Sequence, residues 1–390
     1  MGCDGEGAAG PDFDLTDEDL RRAGSVKWRY GDDDVLPAWV AEMDVRPCPA
    51  VAGAVRDAVD RGDLGYPPLT APELAEALAG FAAERLRWTV DPARVTHTGD
   101  VMAGVLLAIE VLCEPAPVVL PVPSYPPFLD GIPLTGRPLV PVPCAAGPDG
   151  APALDLDAID AAFAAGGRTL VLTHPHNPLG RVFTPAELAD LATVADRWGA
   201  RVISDEVHAP LVLPGARHVP YATTGDPRAV TVTAASKAFN IPGLKCAQIV
   251  TEAAADHAAL AGVPTVANHG TSPLGIAATT AAYRDGGPWL DGVVAHVDAQ
   301  RRLFGELLAE HLPLARWWPM EATYLAWVDA GPYGGDRPAR QALKVGRVMV
   351  NDGETFGPGL GYERYVRVNL ATSRERLTRV VQRLAHAWAP

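Results

Sequence analysis

Short apolar runs alternate with longer amphipathic stretches over the first two thirds of the chain. Between about residue 70 and residue 250, runs rich in valine, isoleucine, leucine and threonine are each followed by stretches in which alanine and leucine recur at helical spacing. The clearest strand candidates are residues 117–120, 169–173, 201–204 and 230–233. Such strand–helix–strand alternation is typical of an α/β domain with a mostly parallel sheet.

One helix between two of these strands carries a complete start signal. Thr184 can cap the helix, Pro185 suits its first turn, and Glu187 stands at the spacing of a capping box. The pattern therefore predicts a helix over 184–198.

The pattern changes near residue 290. One long helix is predicted over 289–312, where Pro313 ends it, and the apolar run 323–328, a strand at 366–370 and a last helix from Ser373 follow. These elements predict a second, smaller α+β domain.

We therefore expect three parts: an N-terminal arm at 1–55 that contributes to the small domain, a large cofactor-binding domain at 56–288, and the small domain at 289–390. The first 20 residues or so are acidic, Gly-rich and without periodicity, so they are expected to form a loose arm.

Charge and composition exclude several classes of function. The 390-residue chain has a net charge of -14 and no lysine- or arginine-rich block, which argues against nucleic acid or an anionic membrane surface as partner. The sequence contains no uninterrupted run of about 18 apolar residues, so no membrane span is predicted. The acidic N-terminus does not resemble a signal peptide. Five scattered cysteines without a CxxC pair argue against a disulfide framework and a zinc site, so we expect no metal and a cytoplasmic location.

Polar residues follow five of the strand candidates. In open α/β sheets, ligands bind just beyond the carboxyl ends of the strands. The segments concerned are 98–100, 124–125, 174–177, 205–208 and 236–237. Five strand ends that offer polar groups to one rim predict a cofactor site.

Lys237 comes directly after a strand, next to Ser236. A buried ammonium is costly unless it is paired or neutralised. A Schiff base with an aldehyde removes that cost and supplies covalent catalysis. The alternative is a lysine on a surface loop.

Asp205 closes the strand 201–204 and could hold a ring nitrogen. Pyridoxal 5'-phosphate (PLP) needs an anion there, because its protonated pyridine is the electron sink for a carbanion. The alternative is an ordinary helix cap.

If a helical turn starts at Asp205, His208 faces the same way and could lie near the cofactor's 3'-oxygen or form a supporting contact.

Asn177 and Tyr125 are the next candidates. Asn177 lies in a stiff turn with two prolines and a glycine, where its amide could donate to a phenolate oxygen. Tyr125 could stack on a flat heteroaromatic ring. The alternatives are an Asn-Pro turn and a partly buried loop aromatic.

Gly99, Asp100 and Val101 lead from a strand into a helix, whose first N–H groups could hold a phosphate. Asp100 is itself an anion, so its carboxylate is expected to cap the helix sideways.

Arg367 lies within an apolar strand and must find an anion there. One interpretation is that the guanidinium makes bidentate hydrogen bonds to the α-carboxylate of an amino acid. The other is a structural salt bridge.

Together these segments resemble the fold-type I PLP enzymes, the aspartate aminotransferase superfamily, and more closely the bacterial cystathionine β-lyase-like C–S lyases of the MalY/PatB group. The resemblance runs from about Gly24 to the C-terminus. It is carried by segments 27–28, 36–44, 65–68, 125–128, 175–181, 204–208 and 236–244, in that order. It implies an α/β fold with a mostly parallel seven-stranded sheet and a smaller α+β domain.

The resemblance implies catalytic roles for Lys237, Asp205 and Tyr125. Lys237 would link to PLP, Asp205 would hold the pyridine nitrogen, and Tyr125 would stack on the ring. Asn177 would contact the 3'-oxygen, and Ser236 would contact the cofactor beside the lysine.

The resemblance also implies contacts with substrate and partner. Arg367 would bind the substrate carboxylate, with Asn177 and Tyr66 also contacting the substrate. Tyr66 would reach the phosphate in the neighbouring subunit, which implies a homodimer with shared active sites. Lys245 stands where many relatives place a phosphate-binding arginine. His208 stands where aminotransferases of this superfamily frequently have a tyrosine. A histidine at this position is usual in the C–S lyases.

The resemblance favours β-elimination of cystathionine or a cysteine S-conjugate, an amino-acid thioether, to thiol, pyruvate and ammonia. The first alternative is an aminotransferase that uses almost the same residues. The second is a PLP-binding regulatory protein. No motif identifies the group on sulfur.

Overall fold

A seven-stranded sheet forms the centre of the larger part of the molecule. The computed structural model describes residues 10–147, 150–333 and 337–388. The strands are β1 (Val95–Thr98), β2 (Val118–Val122), β3 (Leu139–Pro143), β4 (Thr169–Thr173), β5 (Arg201–Asp205), β6 (Val230–Thr233) and β7 (Ala247–Thr251). Their order is β1-β7-β6-β5-β4-β2-β3. All neighbours are parallel except β7, which is antiparallel to both β1 and β6. The predicted α/β class and mostly parallel seven-stranded sheet are confirmed.

The sheet is covered on both faces, as its apolar strands require. Val171 and Ile203 point to the face that packs against helices Val101–Leu112 and Pro126–Leu134. Neighbouring residues of the same strands, such as Leu170 and Val202, belong to the other, larger core. The period of two along each strand therefore separates two apolar layers.

The helices cover the two faces of this sheet and continue into the rest of the chain. The α-helices are Asp17–Ala23, Val26–Arg29, Pro49–Arg61, Pro72–Phe81, Val101–Leu112, Pro126–Leu134, Leu156–Ala164, Pro185–Arg197, Ala254–Ala261, Pro273–Asp285, Gly287–His311, Pro338–Lys344 and Arg374–Trp388. Within the described ranges, no helix is both long enough and apolar enough to cross a membrane. The helix predicted over 184–198 is present at Pro185–Arg197, with the full capping box between Thr184 and Glu187.

A second, smaller sheet follows the long helix Gly287–His311. Its strands are β8 (Arg316–Trp317), β9 (Leu325–Asp329), β10 (Asn351–Asp352) and β11 (Tyr365–Asn369), in the antiparallel order β8-β9-β11-β10. Two further pairs of two-residue strands join Leu36–Pro37 to Val348–Met349 and Ala145–Ala146 to Pro152–Ala153. The first of these ties the N-terminal segment to the C-terminal part. The exact domain limits at 56 and 289 remain a prediction.

The N-terminal arm is more ordered than its composition indicates. Residues 1–9 lie outside the described residues. From residue 10 onwards the expectation of a loose arm is wrong, because Asp17–Ala23 is a helix with a capping box between Thr16 and Asp19. Phe13 is buried and its ring stacks on His296 at 3.7 Å between centroids. The capping box and the ring stacking order a short segment that has too few residues to show a periodic pattern.

Candidate active site

A cavity of about 190 Å³ opens where the strands of the large sheet end. Most of the predicted site residues line it: Gly99, Asp100, Val101, Tyr125, Asn177, Asp205, His208, Ser236, Lys237 and Lys245. They follow β1, β2, β4, β5 and β6, so the carboxyl ends of these strands bring together segments that lie far apart in sequence. Ala41, Met102, Val207, Ala234, Pro242 and Cys246 complete the wall.

Lys237 lies at the cavity with its Nζ donating to the carbonyl oxygen of Ala41 at 3.1 Å. Burial lowers the pKa of Lys237 to about 8, and the Arg367 charge acts in the same direction, whereas Glu42 and Asp205 oppose it. A lysine whose pKa is near 8 exists partly as the neutral amine close to neutral pH. It can therefore act as a nucleophile or as a base.

Asp205 is buried and lines the cavity. Its Oδ1 accepts from the Val207 N–H at 3.1 Å. Burial raises the pKa of Asp205 to about 7, the Val207 hydrogen bond lowers it, Glu206 raises it and Lys237 lowers it. Among the described residues Asp205 forms no salt bridge, and a buried carboxylate of this kind favours the binding of a cation, such as a protonated ring nitrogen.

His208 lines the same wall and is fully enclosed. Burial lowers the pKa of His208 to about 3, and the charges of Lys237 and Arg367 lower it further. The ring is therefore neutral at physiological pH. Its Nδ1 has no hydrogen-bond partner among the described residues, and its ring meets Tyr324 edge-on at 6.3 Å.

Tyr125 immediately precedes the helix Pro126–Leu134 and is partly buried. Its ring meets Phe128 edge-on, with centroids 5.8 Å apart. Burial raises the pKa of Tyr125, so the phenol stays protonated and can donate a hydrogen bond.

The start of the helix Val101–Leu112 forms one end of the cavity. Asp100 caps this helix sideways, as predicted, because its Oδ1 accepts from the Ala103 N–H at 2.9 Å. Its Oδ2 accepts from Lys245 Nζ at 2.7 Å. Burial opposes ionisation, but the hydrogen bonds from Lys245 and Ala103 leave the pKa of Asp100 below its usual value. A Cβ on Gly99 would lie 3.0 Å from the Gly270 oxygen, so this turn needs glycine.

Arg367 on β11 reaches the site from the smaller sheet and is only 4% exposed. Its Nη1 donates to Asn177 Oδ1 at 2.9 Å. Its Nη2 donates to Asn351 Oδ1 at 2.7 Å and to the Trp39 carbonyl oxygen at 3.1 Å. All of these acceptors are neutral.

The guanidinium of Arg367 is therefore a buried cation without a matching anion. Within the described part of the chain it forms no salt bridge, and its Nε has no hydrogen-bond partner. Burial lowers the pKa of Arg367 to about 10, although Tyr125 and Tyr324 oppose this. Because an unpaired buried charge is costly, an anionic ligand would be bound strongly here.

The structure adds site residues that the sequence did not single out. Trp39, Ala41 and Asn351 supply oxygens to Arg367 or Lys237. Tyr324 donates its hydroxyl to the same Ala41 oxygen at 3.0 Å. Two of these acceptors are backbone carbonyls, which any residue carries, so only the resemblance over 36–44 pointed to that segment.

Tyr66 is the one predicted site residue that does not join the others within a single chain. It lies in the loop after the helix Pro49–Arg61, on the wall of a separate surface pocket, and is 98% exposed. Its expected role at the cofactor phosphate of a neighbouring subunit stays a prediction.

Comparisons with known proteins show similarity over nearly the whole chain. The model of the family described as aminotransferase class I and II matches residues 40–384. A protein of Mycobacterium tuberculosis, provisionally named a cystathionine beta-lyase, is 41% identical over 96% of this chain and 97% of its own length. Cystathionine beta-lyase PatB of Bacillus subtilis is 33% identical over 94% of this chain and 98% of its own length.

A solved structure is also similar over nearly the whole length. It is a protein of Corynebacterium diphtheriae, provisionally described as a PLP-dependent beta-cystathionase, with a TM-score of 0.90 and 37% identity over 96% of this chain and 98% of that one. These matches confirm the resemblance to fold-type I enzymes of the PatB type. The chain belongs to the aminotransferase class I and II family.

Proposed function

We propose that this protein is a PLP-dependent carbon–sulfur β-lyase that cleaves cystathionine or another cysteine thioether to a thiol, pyruvate and ammonia. The observation that carries the proposal is one cavity that joins a reactive lysine to a buried carboxylate, with the buried, uncompensated guanidinium of Arg367 bound to Asn177 in its wall. Relatives at 41% and 33% identity that are named cystathionine beta-lyases support the type of reaction.

The side chains of the cavity fit PLP. Lys237 offers an amine for its aldehyde, and Asp205 offers a carboxylate for its ring nitrogen. Asn177 directs its oxygen to Arg367, which leaves its amide N–H groups free to face the 3'-oxygen. The first N–H groups of the helix Val101–Leu112 suit the phosphate. When bound, PLP supplies a sink for the electron pair that remains when the substrate Cα loses its proton.

The residues of the chain then have distinct tasks. Arg367 binds the α-carboxylate of the amino acid and so orients the Cα–H bond. Lys237, once its Nζ leaves the Ala41 oxygen, removes the Cα proton as the neutral amine. The carboxylate of Asp205 keeps a proton on the ring nitrogen. Lys237 carries the proton that can be returned to the departing sulfur, and water later releases ammonia and pyruvate.

An aminotransferase would use nearly the same groups, so the outcome depends on where the proton is returned. Burial lowers the pKa of His208 to about 3, so its ring is neutral near neutral pH. Aminotransferases frequently have a tyrosine at this place, whereas histidine is usual in the C–S lyases that the chain resembles, which supports elimination over transfer.

The proposal is tested by offering L-cystathionine or an S-alkyl cysteine with and without a keto acid. We expect free thiol and pyruvate at the same rate in both cases, and neither product from Lys237→Ala. Turnover that strictly requires the keto acid, without thiol, would instead identify an aminotransferase. A protein that binds PLP but turns over neither substrate would support a regulatory role.

We also propose a homodimer in which Tyr66 completes the partner's site. Leu64, Tyr66 and Leu69 expose large side chains on one loop, and Val266 does so nearby. His97 connects the two segments, since its ring contacts the Pro68 oxygen and its carbonyl oxygen accepts from Asn268 Nδ2. This apolar surface borders the β1 end that leads into Gly99, which suits a contact with a second copy. A cytoplasmic location is proposed with it.

A further inference from the structure

A second carboxylate is buried directly behind Asp205, on the side away from the cavity. Glu206 is the next residue of the chain and its side chain is almost wholly enclosed. It does not line the cavity, and the function proposed above gives it no task.

Glu206 is hydrogen-bonded on both carboxylate oxygens. Oε1 accepts from Ser204 Oγ and from the Tyr221 N–H, both at 2.9 Å. Oε2 lies 2.9 Å from His218 Nε2. No lysine or arginine in the described ranges forms a salt bridge with it, so His218 is its only basic partner there.

The hydrogen bonds indicate which partner carries the proton. Burial lowers the pKa of His218 to about 3, so this ring is neutral and donates from Nε2. Its Nδ1 has no partner among the described residues, which an unprotonated nitrogen tolerates better than an N–H group does. Burial raises the pKa of Glu206 to about 7, while His174, Tyr221 and Ser204 lower it. Above this pH, Glu206 is an anion without a compensating cation.

The backbone of Glu206 also holds the strand end in place. Its N–H donates to the Val232 oxygen at 2.8 Å, and its carbonyl oxygen accepts from the Ala209 N–H at 3.0 Å and from Thr233 Oγ1 at 3.3 Å. The titratable groups around the side chain are Asp205 on the same strand end, His174 after β4, and His218 and Tyr221 from the loop before β6. On the cavity side, Lys237 faces Asp205.

We propose that Glu206, held by His218 and Ser204, is a positioning residue that acts through Asp205: its negative charge strengthens the binding of a protonated ring nitrogen at the Asp205 carboxylate. Two adjacent buried anions repel each other, and a cation between Asp205 and the cavity relieves that repulsion. The effect is electrostatic, so it depends on the charge of Glu206 and on the presence of a ring nitrogen. The inference rests on the proposed function only in taking PLP as the ligand of the cavity.

The test compares two ligands in two proteins. Equilibrium dialysis at about pH 8.5, above the pKa of about 7 that burial gives Glu206, measures the affinity of PLP and of an analogue with C–H in place of the ring nitrogen. Glu206→Gln keeps the size of the side chain and can keep the bonds from Ser204 and Tyr221, because its oxygen accepts both. We expect Glu206→Gln to weaken PLP binding about tenfold, the effect of one nearby charge, and to leave the analogue unchanged. An equal loss for both ligands, or no loss, would overturn the proposal.

Ser204→Ala provides an independent variant if Glu206→Gln does not fold. It removes one hydrogen bond to the carboxylate but keeps the charge. Loss of this donor raises the pKa of Glu206, so the side chain becomes neutral at a higher pH. As the pH is lowered, the variant should therefore lose its preference for PLP over the analogue at a higher pH than the wild type does. An unchanged pH profile would contradict the proposal. If the wild type binds PLP but cleaves no thioether, the proposed function fails while this inference can still hold.

Discussion

Replacing Arg367 with methionine tests the carboxylate site most sharply. Among the described residues the guanidinium donates only to neutral oxygens, on Asn177, Asn351 and Trp39, and it lies over the Phe356 ring. A substrate carboxylate would therefore supply its only counter-charge. Losing one member of a buried, hydrogen-bonded charge pair costs about 2–5 kcal/mol, so kcat/KM should fall roughly 30-fold to several thousand-fold.

The stability of the ligand-free protein should change far less. Arg367→Met removes a buried charge, which favours the folded state, but leaves three oxygens without a donor, which opposes it. The free energy of unfolding should therefore stay within about 2 kcal/mol of the wild type. A large loss of activity without a large loss of stability separates a binding role from a structural one.

The assay is steady-state thiol release, with urea unfolding in parallel. Arg364→Met is the matched control, since Arg364 lies three residues earlier, is about half exposed and pairs with the buried Asp329, and neither residue lines the cavity. It should retain kcat/KM. The affinity of an amine that lacks the carboxylate should be the same in Arg367→Met and in the wild type. If Arg367→Met kept kcat/KM within about threefold of the wild type, the carboxylate role would be refuted.

The other predictions concern the lysine, the aspartate and the tyrosine. Borohydride reduction of the PLP-loaded protein should fix the cofactor on Lys237, which peptide mass spectrometry would locate; label on another lysine would disprove the assignment. Burial raises the pKa of Asp205 to about 7, so its folded-state pKa exceeds the unfolded value and the contribution of Asp205 to stability falls as pH rises from about 4 to 7. The Tm of cofactor-free Asp205→Asn should therefore rise relative to the wild type across this window, whereas a constant difference would show that Asp205 is not buried as an ionisable group. Mixing Tyr66→Phe with Lys237→Ala should restore some activity through hybrid dimers, and a fully active monomer would exclude the shared site.

The sequence predicted those parts of the fold that depend on local pattern. The strands β4 and β6 were expected with the bounds that they have, because continuous Val, Leu and Thr runs suit strands buried on both faces. The helix Pro185–Arg197 was equally clear from its capping box. The polar residues after these strands meet because parallel strands end at one rim.

Contacts between distant segments had no comparable signal. Met43 and Asn240 exchange two hydrogen bonds although 197 positions separate them, and Ala41 meets Lys237 through a backbone oxygen. A backbone acceptor does not depend on residue type, so no motif marks it. Asn351 was missed because an asparagine near a turn has many ordinary roles. The neutral acceptors around Arg367 come from three distant segments that only the folded chain brings together, so no local pattern predicts them.

Repeated β-elimination at the site of Lys237 is tested most directly by counting the products formed per active site. The purified protein, loaded with PLP and freed of keto acids, is given an excess of L-cystathionine, and thiol and pyruvate are counted over time. We predict equal amounts of both, rising far beyond one equivalent per site, and none from Lys237→Ala. A plateau at one equivalent or less, without thiol, would contradict the account, because a transfer reaction stops after one half-reaction when no acceptor is present.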